Sequence, residues 1–216
     1  MEVSTATQGG NFDPPPAGAH RALCYRFVDL GTQKNEYQGE VKNQRKVMLS
    51  FELVDELDEF EIDGKKIKAP FTVHQRFTWS MHEKGKLRPF LEAWRGRAFA
   101  ESDLKPGGFD TKNLIGVPCM LNVIHATRDG RTFANISGIS PLPSRLKEDM
   151  PALHNPRCYV ALDKERFDPD AYEALSDRIK ETIGQSPEWK RLNGIEVSEP
   201  QRESFTRDDI DDEIPF

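Results

Sequence analysis

Asp63-Gly64 falls between "VMLSFELVDELDEFEI" and "KKIKAPFTVHQRFT". A two-residue Asp-Gly step flanked by alternating sequence is the strongest short-range signal for an antiparallel hairpin, because its backbone twist matches that of the strands it joins. Val47, Leu49, Phe51 and Leu53 alternate with Met48, Ser50, Glu52 and Val54, the pattern of a half-buried strand. With Ile62 and Lys65 flanking the turn, Glu61 falls opposite Lys66, Glu59 opposite Lys68 and Phe51 opposite Arg76. Glu59 and Glu61 then have basic partners across the ribbon, and for the seven acids from Glu52 to Asp63 a solvated hairpin tip outweighs a metal or partner site. A chain committed to so long a hairpin builds the rest of its fold around a sheet.

Residues 20–31, "HRALCYRFVDLG", supply a strand before this hairpin, and "TQKNEYQGEVKNQRK" reads as a long polar loop between the two. After it, "SMHEKGKLRPFLEAWRG" predicts a short helix. Ser80 and Glu83 have capping-box spacing, Leu87, Phe90, Leu91 and Trp94 share one face, and Gly96 suits the stop. Pro89 delays or kinks its regular part. "GVPCMLNVIHAT" and "RTFANISGIS" then form a second hairpin around Asp129-Gly130. Five strands with one helix between the third and fourth predict a mainly β fold, an OB-fold five-stranded barrel over residues 19–145.

The flanks differ in character. Residues 1–18 are polar and proline-rich and read as a flexible lead-in. In the extension at 146–194, residues 168–183 predict a C-terminal helix with Asp168 as cap and Tyr172, Leu175, Ile179 and Ile183 on one face. "SPEWKRLNG" adds a turn or two, from Ser186 and Pro187 to Gly194. The helix is free to dock on the barrel or on a second subunit, so a homo-oligomer stays open. Residues 195–216 carry no hydrophobic period and read as a disordered acidic tail.

Charge is distributed unevenly. Residues 1–145 hold 20 Lys and Arg against 18 Asp and Glu, whereas residues 146–216 hold 10 against 18. The net charge of −6 therefore hides a body that is basic outside the hairpin acids. Cys24, Cys119 and Cys158 form no C-x-x-C pair and read as small buried apolar residues of a reducing cytoplasm. With no apolar leader and no span-length apolar stretch, the sequence predicts no membrane association.

His20, His74, His82, His125 and His154 have no metal-ligand spacing, and no nucleophile motif or phosphate-binding glycine loop is present. The sequence thus predicts neither catalysis nor a metal or other cofactor. Nucleic-acid binding has better support. OB-folds hold extended single strands across strands 2 and 3, between the loops joining strands 1 to 2 and 4 to 5. The first loop offers Lys34, Tyr37, Lys42, Arg45 and Lys46, the third strand His74, Arg76 and Trp79, and the second loop Arg128 and Arg131. Cations track phosphates, and an exposed ring stacks on any base for about 1–3 kcal/mol. Phe77 and Trp94 read as core, Trp79 evenly as core or stacking platform, and Tyr37 slightly in favour of stacking.

The sequence closes on "DDIDDEIPF", where Asp208, Asp209, Asp211, Asp212 and Glu213 lead into Ile214, Pro215 and Phe216. Dispersed negative charge, a restricted proline and an aromatic beside a free carboxylate suit a basic-rimmed apolar pocket on a partner. This segment resembles the acidic tip of bacterial single-stranded DNA-binding proteins, and the whole chain resembles those encoded by tailed bacteriophages. The resemblance implies an OB-fold body that coats single-stranded DNA in DNA replication or recombination. It also implies a tip that recruits a nuclease, helicase or polymerase. The chain departs from the bacterial family in its long first loop and in the helix at 168–183. An adaptor of a recombination complex with little DNA affinity is the alternative, and an OB-fold nuclease subunit a weaker one.

Overall fold

One long strand, β1 (Gly18–Tyr37), organises the computed structural model, which describes residues 13–37, 40–62 and 65–195. β2 (Glu40–Ile62) pairs antiparallel with β1, and β3 (Lys65–Thr78) pairs with β2. β4 (Pro118–Arg128) takes the other edge of β1 and carries β5 (Arg131–Pro141), giving the order β3-β2-β1-β4-β5. A sixth strand, β6 (Cys158–Val160), runs parallel to β1 at residues 26–28. The protein is mainly β, and the helix expected between the third and fourth strands is present. The expected closed five-stranded barrel is not formed. β3 and β5 approach but share no ladder. β5 is exposed along much of its length and gives the core one buried residue, Ile139, with Ala134 and Ile136 half-buried against it, so little apolar surface draws it across to β3.

Two strand expectations need correction. The polar stretch after Gly31 is a two-stranded ribbon instead of a loop, with Thr32 opposite Arg45 and Lys34 opposite Asn43 out to Tyr37 opposite Glu40. Alternating polar residues pair well where both ribbon faces are wet, although they carry no hydrophobic period. In the acidic hairpin, Ile62 opposite Lys65, Glu61 opposite Lys66 and Glu59 opposite Lys68 are as read, while Asp63-Gly64 lies outside the described residues. Phe51, however, faces Val73, and Arg76 faces Met48. A wide bulge between Glu52 and Leu57 shifts the register, and it turns Asp55 and Glu56 onto β1, where Arg21 and His20 bind them.

The concave side of the sheet holds the main core. Phe27 from β1, Val47, Leu49, Phe51 and Leu53 from β2, Val73 and Phe77 from β3, and Leu121 and Val123 from β4 meet there. Helix α1 (Leu87–Arg95) closes this core with Leu87, Leu91 and Trp94, and stops at Gly96 in the left-handed conformation. It begins at Leu87, leaving Ser80 to accept from the His82 N–H in a turn, so the expected capping box is not used. Pro89 falls in the first turn, where its missing N–H costs nothing. Two short helices, α2 (Glu101–Leu104) and α3 (Ser144–Lys147), and a 3-10 turn at Thr111–Leu114 complete the connections on either side of the β4–β5 hairpin.

A second core lies on the convex side. Val28, Leu30 and Met48 project outward and are covered by Cys158, Val160 and Leu162 and by Tyr172, Leu175, Ile179 and Ile183. β2 is therefore buried on both faces instead of one. The expected helix at 168–183 divides into α4 (Pro169–Glu173) and α5 (Asp177–Gly184), because Ser176 adopts an extended conformation and restarts the chain as a helix cap. α6 (Pro187–Leu192) follows, its Trp189 N–H bonded to Ser186 Oγ, and Gly194 ends it with φ at 73°. All three cysteines are buried and unbridged, as read. Among the described residues no helix is long and apolar enough to cross a membrane.

Candidate nucleic-acid interface

Directly opposed residues on paired strands share a face, so the register alone assigns the outward row of each strand. Arg26, Ser50 and His74 form one row across β1, β2 and β3, and Val28, Met48 and Arg76 form the next. Gly31, Lys46 and Thr78 continue the pattern towards the ribbon. Lys46 Nζ donates to Gln44 Oε1 at 2.7 Å and to Thr78 Oγ1 at 2.8 Å, which holds its ammonium on this face. Lys42, two rungs along the same ribbon face, is half-buried.

α5 brings in a residue that the sequence reading missed. Its Ile179 and Ile183 seat on Val28, Leu30 and Met48, and the adjoining Arg178 acts electrostatically on both His74 and Arg76. Both target side chains reach solvent. Desolvation by the surrounding protein lowers the His74 pKa first, followed by the charges of Arg76, Arg26 and Arg178. Desolvation, then Arg178, likewise lowers the Arg76 pKa. Among the described residues no carboxylate is a principal cause of either shift, and none forms an ion pair with His74, Arg76 or Arg178. A surface cluster of basic side chains with no ion pair among the described residues is suited to an anion with distributed charge, such as a phosphodiester backbone. The i, i+4 spacing of Ile179 and Ile183 was a signal that α5 docks, but only the fold shows where.

Arg45 is engaged differently. It points to the opposite side of the ribbon base, bonds to both carboxylate oxygens of the fully buried Asp29, and lies over the Trp79 ring at 4.8 Å. Burial works against the Arg45 charge, but the bonds and charge of Asp29 more than compensate and its pKa is raised. Trp79 itself packs edge-on against Phe27, with centroids 5.7 Å apart, on the margin of the main core. Phe77 and Trp94 are core residues. Lys34 is exposed on the ribbon face shared with Arg45, and the Tyr37 side chain lies outside the described residues.

Arg128 and Arg131 face each other at the end of the β4–β5 hairpin, where Asp129 and Gly130 take φ of 50° and 72°. β4 runs antiparallel to β1 from residue 23 back to residue 18, so this hairpin end and the β1–β2 ribbon lie towards opposite ends of β1. The ten sequence-predicted residues therefore do not converge in one cluster. Phe133, 48% exposed, and Ile124, 46% exposed, share the outward face with the two arginines. Phe133 was missed because an alternating "RTFANIS" strand does not reveal which phase faces out. The tip, residues 208–216, lies outside the described residues.

Among the described residues no group of three His, Cys, Asp or Glu side chains is arranged to hold a metal ion. No protein-family model and no characterised relative matches this chain.

Proposed function

We propose that this chain binds single-stranded DNA without sequence preference and coats it during phage replication or recombination. The observation that carries the reading is the outward face of β2 and β3, where Arg178 of α5 joins His74 and Arg76 with no ion-paired carboxylate among the described residues. The strand order β3-β2-β1-β4-β5, the helix between β3 and β4 and the open β3–β5 seam support a partly open OB-type barrel, whose second and third strands bind oligonucleotides. The β1–β2 ribbon, with Lys42 and Lys46 on the same outward side, extends that face. Phe133, on the same outward face as the opposed Arg128 and Arg131, offers a second, separate contact of the stacking type. Residues 208–216 recruit a replication or recombination enzyme through their acidic and aromatic groups.

Fluorescence anisotropy of labelled oligothymidine, compared with duplex of equal length at low and high salt, tests the reading. Tight binding to the single strand that weakens with salt, the logarithmic slope steepening by about 0.7 per neutralised phosphate, is the expected result. Absence of binding to both nucleic acids would overturn it and leave a protein adaptor as the better description.

A further inference from the structure

We propose that the C-terminal extension forms part of the DNA-binding face, with Arg178 of α5 joining Arg76 and His74 in a single site for the phosphates of single-stranded DNA. The inference rests on the single-strand reading above and adds to it a residue and an element outside the five-stranded sheet.

Geometry places Arg178 there. The outward row Val28, Met48, Arg76 runs across three strands, and α5 covers its first two members through Ile179 and Ile183. Arg178, adjacent to Ile179 and exposed, lies near enough to Arg76 and His74 for its charge to act on both. One row along, Arg26 and His74 are two strands apart, about 10 Å at the usual strand spacing, with only Ser50 between them. Arg26 is 4% exposed and acts from beneath as a field and not as a contact.

Electrostatics give the arrangement a purpose. Arg76 and Arg178 repel in the free protein, and desolvation makes that repulsion stronger at Arg76 than it would be in water. A phosphate placed between Arg76 and Arg178 relieves both, so the interaction that opposes the free arrangement favours the bound one. Guanidinium groups from two elements also offer forked donors from two directions, which suits a chain of phosphates crossing the sheet edge. The extension could have docked through its apolar face alone; this position also brings a cation to the site.

The test uses the full chain with oligothymidine. Arg178→Glu should weaken binding roughly tenfold at low salt, with less effect at high salt, and lower the salt slope by about 0.7 per lost phosphate contact. Arg178→Lys should recover much of the affinity. Lys105→Glu, an equal charge change on an exposed residue outside the site, should leave the slope as in the wild type. Thermal melts followed by circular dichroism report whether α5 stays docked in each variant. Wild-type affinity and slope in Arg178→Glu, with the unaltered chain binding normally, would overturn this inference alone. If the unaltered chain fails to bind oligothymidine, the single-strand reading falls and the inference falls with it.

Discussion

Gly31 shows how much of this fold turns on single residues. Its φ is 69°, and a Cβ at that position would meet the Cβ and Oγ of Ser186 at 2.4 Å. The bulge between Asp29 and Gly31 redirects β1 from the sheet into the ribbon, and α6 is fastened over the bend. Glu188 accepts from Thr32 N–H at 2.8 Å and from Thr32 Oγ1 at 2.7 Å, while Asp29 accepts from Gly31 N–H and Leu162 N–H. Gly31→Ala therefore introduces left-handed strain and a steric clash together. It should cost about 2–4 kcal/mol, read as a lower urea midpoint with unchanged slope. Gly31 was legible in the sequence only as the end of a strand. The partner that makes it indispensable, Ser186, is 155 positions away.

At the level of elements, local pattern was a good guide where hydrophobic period or turn chemistry acted alone. The Asp63-Gly64 signal set the register of the hairpin tip, Asp129-Gly130 set the second hairpin, and Leu87, Leu91 and Trp94 predicted the buried face of α1. It failed where a distant element decided the outcome. Ser50 and Glu52 read as the wet face of β2, yet both are buried, and the segment before β6 is bonded to Glu52. Glu52 Oε1 accepts from the His154 N–H at 2.9 Å, and Oε2 accepts from the Asn155 N–H at 3.0 Å and its Nδ2 at 2.9 Å. A carboxylate that serves three donors is a clasp between sheet and extension. Glu52→Ala leaves those donors without it and should lower stability by about 3 kcal/mol, whereas Glu52→Gln, which keeps one acceptor oxygen, should lose less. Chemical denaturation of the two variants side by side measures the difference. β6 itself escaped notice because three residues, "CYV", are too few to display a period.

Across the whole molecule, β1 is shared between two cores, one on each side of the sheet. The extension is built into the second core, so the residues at 158–183 belong to the folded body. This packing covers the convex face over β1 and part of β2 and leaves β3 outermost. β3 has a ladder on one edge only, so the cluster of His74, Arg76 and Arg178 lies beside an edge strand of the sheet. The candidate site was half legible from sequence: His74 and Arg76 share a phase of β3 that alternation reveals, whereas Arg178 and Phe133 acquire meaning only from tertiary placement. The account's central claim is that single-stranded DNA lies along β3 on this outward face. Hydrogen–deuterium exchange of the full chain with and without oligothymidine tests it most directly. Added protection over residues 72–78 and 176–180 is the predicted result; protection confined to residues 124–135, with β3 and α5 unchanged, would contradict it.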